Sequence, residues 1–229
     1  MQNAYNIISN WLSDNFLKLN DSKSEVILIG TPKSVSHCKI LSNSISLGNS
    51  NISFSPIVKN FGVLFDENLS FLPHIKNIRK NCFITLKNLR HIRSFFNRPN
   101  FESLMHAFIT SRLDYCNSLF TNISQSTINQ LQSIQNYAAR LILRRGLYSH
   151  ITPLLFELHW LPVSDHINFK ILLITYKAVH YSSLLYLAFQ LKFKPNPRNL
   201  RHHDPFPEIP RSHSARMGDR TFPFVAPNI

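Results

Sequence analysis

The sequence predicts an α+β protein in which a short β-containing section is followed by a longer helical section and a basic, Pro-rich tail. Three observations carry this reading. Between Glu25 and Phe65 the apolar residues come in short runs closed by Gly and Pro, the mark of strands and turns. From Ser70 to about His180 they recur every three or four positions, the period of helices that bury one face. Beyond Leu191 both periods dissolve among Pro, Lys and Arg. With 229 residues, 44% of them apolar and 12% aromatic, the chain has material for a real core in one large or two small units. The expected divisions are 1–68, 69–190 and 191–229.

The elements follow in order. Ile7, Ile8, Trp11 and Leu12 stand at helical spacing, so Asn3 to Leu17 is expected to form an amphipathic helix packing on something beyond itself. Glu25 to Gly30 is an apolar run ended by Gly30 and Pro32, which predicts a buried strand. Weaker strands are expected at Cys38 to Leu41 and at Ile45 to Phe54, the latter folded about Gly48-Asn49. Val58 to Phe65 completes this section and Asp66-Glu67-Asn68 closes it.

In the helical section, breaks are expected near Pro99, around Ser124, at Gly146 to Pro153 and at Pro162. The first helix places Ile75, Ile78, Cys82, Leu86, Leu89, Ile92 and Phe96 on one stripe. The next two, Phe101 to Leu119 and Ser124 to Arg145, offer Phe101, Met105 and Phe108, then Ile128, Leu131, Ile134, Ala138 and Leu141, as core positions. Ile167 to Val179 is apolar on nearly every side, which predicts a helix buried within the domain. The tail is expected to be largely irregular.

Charge narrows the function. Lys and Arg number 25 against 12 Asp and Glu, a net charge of +13 that attracts polyanions. Lys76, Arg79, Lys80, Lys87 and Arg90 flank the stripe of the first long helix, and no acidic residue occurs between Glu67 and Glu102. A one-signed row without local partners is what a phosphate-contacting helix shows, the alternative being a plain solvated face. Arg140, Arg144 and Arg145 gather at the end of a later helix, where they either offset its dipole or meet phosphate.

Other classes find less support. Cys38, Cys82 and Cys116 are odd in number and far apart, so neither a disulfide framework nor a zinc site is expected and the compartment is read as reducing. No basic-then-apolar leader opens the chain, and the richest apolar stretch, Ile171 to Val179, is far shorter than the roughly 20 residues a membrane span needs. An intracellular protein of cytoplasm or nucleus is expected, with no membrane partner. No GxSxG-type nucleophile motif occurs, Cys116 reads as helix packing, and no small-molecule substrate is expected.

Four groups of residues, in order, resemble the reverse transcriptases of LINE-type (non-LTR) retrotransposons of the broad group that includes jockey and its relatives. The first is Trp11 to Asn20 leading into Lys23-Ser24-Glu25-Val26-Ile27-Leu28-Ile29-Gly30, similar to the palm helix and strand after the catalytic motif. The second, Val58-Lys59-Asn60-Phe61-Gly62-Val63-Leu64-Phe65-Asp66, looks like the primer-grip hairpin. The third joins Ser111-Arg112-Leu113-Asp114-Tyr115-Cys116-Asn117 to Leu131-Gln132-Ser133-Ile134-Gln135-Asn136-Tyr137-Ala138-Ala139-Arg140 and resembles the helical thumb. The fourth runs through His150-Ile151-Thr152-Pro153, His159-Trp160-Leu161-Pro162 and Phe169 to Ala178, and the likeness continues at Gly218 to Phe222 and Ala226 to Asn228.

The resemblance implies an incomplete palm, a primer-grip-like turn at Phe61, Gly62 and Val63, a thumb-like helical domain and an RNA/DNA duplex as partner. It also implies that Lys23 matches a palm lysine proposed to protonate the pyrophosphate leaving group. That family uses Mg²⁺ held by Asp residues of two palm motifs, one a paired Asp. Here the Asp residues stand singly and only Asp66-Glu67 sets two carboxylates side by side, in what reads as a polar turn. The catalytic motifs would lie before Met1, so Lys23 is expected to be idle, no metal or other cofactor is expected, and the missing polymerase part is a possible partner. The sequence-level expectation is a non-polymerising chain that still touches nucleic acid; the competing expectations are a protein-interaction or functionless remnant, and a piece of a longer active enzyme.

Overall fold

The computed structural model describes residues 2–20, 23–47, 50–180, 185–194, 206–212 and 217–229. It is a mixed α+β structure, mostly helical, whose strands form two-stranded antiparallel ladders. Internal contacts divide it into Met1–His74 and Ile75–Ile229. The tail residues described here belong to the second unit with the helices.

In the first unit, helix α1 spans Gln2–Asp14 as its periodicity predicts, and Ile7, Ile8 and Trp11 are exposed. Glu25 to Gly30 does not form the expected strand. Its one ladder contact is a parallel bridge between Val26 and Phe54, and Ile29 is exposed. An apolar run supplies side chains for a strand, but a strand also needs a neighbour in register along its length.

Cys38 to Leu41 is likewise no strand: it ends helix α2, Pro32–Leu41. Thr31 caps that helix, its side-chain oxygen accepting from the Ser34 N–H at 3.3 Å, and Pro32 occupies the first turn. Cap followed by Pro is a helix start, and it outweighs the weak apolar spacing downstream.

Strands β1 (Ser44–Leu47) and β2 (Ser50–Ser53) pair antiparallel with Ile45 opposite Ile52, as expected for a folded Ile45 to Phe54 segment. The expected turn at Gly48-Asn49 lies outside the described residues. Strands β3 (Ile57–Asn60) and β4 (Val63–Asp66) form a second hairpin around Phe61 and Gly62. Both turn residues have positive φ, 45° and 83°, the two-residue geometry that matches strand twist and favours Gly at its second position.

Past β4 the chain makes a strained turn, with Leu69 at φ 50° and Phe71 at φ 56°. Asp66, 8% exposed, holds it: its carboxylate accepts from the Ser70 N–H at 3.1 Å and the Phe71 N–H at 2.8 Å. The reading of Asp66 as a turn residue is therefore given a physical form.

In the second unit, α3 (Leu72–Ile92) buries Ile75, Ile78, Cys82, Leu86 and Leu89, whereas Ile92 is 39% exposed and Phe96 lies beyond the helix. Helix α4 (Arg98–Met105) is capped by Asn97 and runs through one π-helical turn, His106–Thr110, into the short α5 (Ser111–Asp114). It ends before the expected Leu119, because Cys116 takes a left-handed conformation (φ 54°). Cys116 is thus a half-buried residue of a helix break and not of a helix face.

Helix α6 (Gln125–Ile142) buries Ile128, Leu131, Ile134, Ala138 and Ile142; α7 (Ile151–Glu157) and α8 (Val163–His180) pack on it. The breaks expected near Pro99, Ser124, Gly146 to Pro153 and Pro162 all lie at helix ends or first turns. The fully buried helix expected at Ile167 to Val179 is corrected. Helix α8 buries Val163, Ile167, Ile171 and Ala178 but leaves Phe169, Leu172, Tyr176 and Val179 41–55% exposed. Apolar composition marks what a helix offers, while the neighbours decide which face is covered.

The tail is more ordered than expected at its far end. Phe193–Lys194 pairs with Phe206–Pro207, and Phe222–Val225 forms a helical turn whose Val225 is buried. Arg220 donates to the Thr121 carbonyl at 3.2 Å and the Leu119 carbonyl at 3.3 Å, and the Asn122 side chain donates to the Asp219 carbonyl at 2.6 Å.

One buried cation ties three segments of this unit. Arg93, 8% exposed, donates through Nε to the Leu141 carbonyl (3.1 Å), through Nη2 to the Ile142 carbonyl (2.7 Å) and through Nη1 to the Phe96 carbonyl (2.9 Å). Its guanidinium carbon stands 4.5 Å from the Phe101 ring centroid. The arginine thereby closes the C-terminal end of α6, where carbonyls lack helical partners and positive charge is favoured. Arg93→Met is expected to destabilise the second unit by about 2–4 kcal/mol, because three acceptors lose a charged donor. A urea midpoint within the error of wild type, read from Trp160 fluorescence, would contradict this role.

Candidate nucleic-acid interface

The expected cations all lie on α3. At about 100° per residue, Lys76, Arg79, Lys80, Lys87 and Arg90 fall within less than a third of a turn. All five are exposed. They occupy one flank of the buried stripe, while Asn77, Asn81 and Asn88 occupy the other and the Asn81 amide donates to Asn77 at 3.3 Å. None of the five has an ion-pair partner among the described residues: the recorded pairs are Lys39–Glu67, Arg98–Glu157, His106–Glu102 and His166–Asp114.

Phe83 was not among the expected site residues. It falls within the cationic arc, with the Arg79 guanidinium carbon 5.7 Å from its ring centroid and the Tyr137 ring edge-on at 6.0 Å. The spacing that finds it is present in the sequence: Phe83 follows Arg79 by four positions and precedes Lys87 by four, so the three neighbour one another on the helix surface. Cations interleaved with a half-exposed aromatic suit the phosphate backbone and base or sugar faces of a nucleic acid.

The core beneath fixes this flank. Cys82 and Leu86 are fully buried on the stripe, and the Arg112 guanidinium donates to the Thr85 hydroxyl at 3.1 Å from α5. Burial raises the Cys82 thiol pKa against the pull of Arg112, which makes it a packing residue. The helix cannot roll without exposing these side chains.

The remaining expected residues belong to the first unit. Lys23 is exposed and its N–H donates to the Asn20 carbonyl at 3.1 Å. Phe61 stands 86% exposed at the tip of the β3–β4 hairpin beside Gly62, whereas Val63 is 2% exposed in the core. The three therefore do not share one surface.

The adjacent carboxylates Asp66 and Glu67 are both engaged. Asp66 spends its oxygens on the Ser70 and Phe71 N–H groups, and Glu67 pairs with Lys39. Among the described residues no three His, Cys, Asp or Glu side chains group to hold a metal ion. Among the described residues no helix is long and apolar enough to cross a membrane.

Comparison with family models, with curated proteins and with solved structures gives no match to this chain.

Two histidines give the units opposite pH responses. His166 Nδ1 lies 3.2 Å from Asp114 Oδ1, and that hydrogen bond raises its pKa above the ordinary 6.5 against the opposing effect of burial. Its contribution is complete below pH 6.5 and is lost as pH rises through the raised value. With the two side chains 32% and 40% exposed, screening limits it to about 1 kcal/mol or less. His74, 4% exposed, accepts from the Leu64 N–H, and burial lowers its pKa below 6.5. Its contribution is complete above pH 6.5 and is lost as pH falls through the lowered value.

His166→Gln is therefore expected to remove part of the alkaline loss of stability, and His74→Gln, which keeps an acceptor for Leu64, part of the acidic loss. Urea midpoints measured across this range check both. An unaltered pH profile in either variant contradicts the corresponding assignment.

Proposed function

We propose that this chain is a non-polymerising part of a retrotransposon-type RNA-directed DNA polymerase that binds the backbone of a template–primer duplex without reading its sequence. The observation that carries the reading is the unpaired cationic flank of α3, with Phe83 set among Lys76, Arg79, Lys80, Lys87 and Arg90. Such a row neutralises phosphates and releases counterions, which gives affinity without base recognition. The ordered likeness of the four residue groups to non-LTR reverse transcriptases supplies the family in this proposal. Lys23 has no role in it as an acid, since the paired-Asp motif of that family has no counterpart among these residues.

A second reading has its own observation. The exposed apolar face of α8, with Phe169, Leu172 and Tyr176, suits a protein partner. On that reading the helices serve assembly, with or without the polymerase part that the resemblance implies.

The two readings part in a salt titration. The first predicts that duplex affinity falls with salt at about 0.9 log units per log unit for each phosphate contacted. Lys80→Glu with Lys87→Glu should lower that slope by roughly two, whereas Asn77→Glu with Asn88→Glu, which places two carboxylates on the opposite flank with half the change in net charge, should change it by well under half as much. Fluorescence anisotropy with a labelled RNA/DNA duplex measures all three. A flat salt response, or equal effects of the two double variants, counts against the first reading, and stable monodisperse protein without duplex affinity favours the second.

A further inference from the structure

Beside the C-terminal end of α6 the second unit carries a recess of about 300 Å³ whose lining includes Arg93, Asn97, Arg98, Arg144, Arg145 and Glu157. It is separate from the flank of cations discussed above, since none of those five residues lines it. Four guanidinium groups meet one carboxylate here, and that carboxylate is already engaged: Arg98 Nη1 lies 2.7 Å from Glu157 Oε1.

The sequence offers Arg140, Arg144 and Arg145 a structural duty at the helix end, and the structure gives the carbonyls of that end to Arg93. Arg93 takes the Leu141 and Ile142 carbonyls, and Arg140 donates to the Ser149 carbonyl at 3.1 Å. Arg144 and Arg145 are left exposed, with no ion-pair partner among the described residues. Burial and, after it, the charge of nearby Arg144 lower the Arg93 pKa, so positive charge is in local excess.

The chemistry of the walls selects the ligand class. Guanidinium groups present planar forks of N–H donors that match phosphate oxygens two at a time. The volume is that of a small-ligand site, yet most of the lining is cationic or polar, which suits a compact anion better than an apolar metabolite. We propose that this recess binds a phosphate group, held by Arg98, Arg144 and Arg145, either in a free oligophosphate or at the 5′ end of a nucleic-acid strand. The proposal does not rest on the α3 reading, and either can fail without the other.

Calorimetric titration of the full chain at low salt tests it, with tripolyphosphate and with two oligonucleotides of one sequence, one ending in a 5′-phosphate and one in a 5′-hydroxyl. Tripolyphosphate is expected to bind at one site and to lose roughly tenfold or more in affinity in Arg144→Asn/Arg145→Gln, as charged hydrogen bonds are removed. Asn tolerates the left-handed backbone that Arg144 adopts at φ 53°. Glu157→Gln, which removes the competing carboxylate, is expected to tighten binding and provides a second variant at the same site. Lys80→Glu/Lys87→Glu is expected to leave tripolyphosphate affinity within about twofold, because those residues lie outside the recess.

Preference for the 5′-phosphate strand assigns the site to strand ends, and equal affinity for the two strands beside tight tripolyphosphate assigns it to free oligophosphate. Absence of tripolyphosphate binding overturns the proposal. So does binding indifferent to Arg144 and Arg145, or binding weakened as much by the α3 variant as by the recess variant.

Discussion

The constraint on which the helical unit depends is the buried guanidinium of Arg93. A charged group at 8% exposure is tolerable only when its donors are satisfied, and here three carbonyls and an aromatic face do so. Those acceptors come from the end of α6 and the turn after α3, and the ring comes from α4. Satisfying one side chain therefore ties the ends of α3 and α6 to the ring of Phe101 in α4. The arrangement also sets the surface: with α3 anchored at its C-terminal end and its apolar stripe buried, its cations face solvent along one flank.

A second set of polar contacts locks the later helices to α6. The Gln132 side chain accepts from the Val163 N–H at 2.9 Å at the start of α8, and its amide donates to Gln135 and Asn136 at 2.8 Å. Gln135, itself buried, donates to the Leu161 carbonyl at 2.8 Å. The Leu131 to Arg140 string thus holds the His159-Trp160-Leu161-Pro162 loop by hydrogen bonds that apolar substitutes lack. His166 meets Asp114 across α8 and α5, and the Trp160 ring meets His106 edge-on at 5.5 Å. These groups are far apart in sequence and interlocked in space. Exposed ion pairs such as Arg98–Glu157 add only about 1 kcal/mol or less each, so specificity here comes from buried polar fits and from the core.

What the sequence made legible was whatever depends on local period. The α3 stripe, the Ile45 to Phe54 hairpin and the Pro-marked breaks follow from spacing and turn chemistry, while the β3–β4 hairpin was expected from the resemblance alone. The misses concern neighbours. Nothing in Glu25 to Gly30 says that just Val26 finds a strand partner, and nothing in the composition of α8 says which of its apolar faces is covered. Two signals were present and went unused. Thr31-Pro32 opens a helix, and Arg93 stands in phase with Cys82, Leu86 and Leu89, a charged residue on an apolar stripe. Phe83 was hidden for the opposite reason, since an aromatic residue on a long helix is usually core. Its place among the cations emerges once the helix is projected on its axis.

Apart from Arg98, Arg144 and Arg145 of the recess, the positive charge of the second unit has two uses in this account. Arg93, Arg140 and Arg220 answer backbone carbonyls and hold the fold, while the α3 flank is free to answer phosphate. The most direct measurement of that division is backbone chemical-shift mapping of the full chain titrated with an RNA/DNA duplex. The account predicts perturbations at Lys76, Arg79, Lys80, Phe83, Lys87 and Arg90 and much smaller ones at Asn77, Asn81 and Asn88. Perturbations centred on the asparagine flank, or absent from α3, would contradict it.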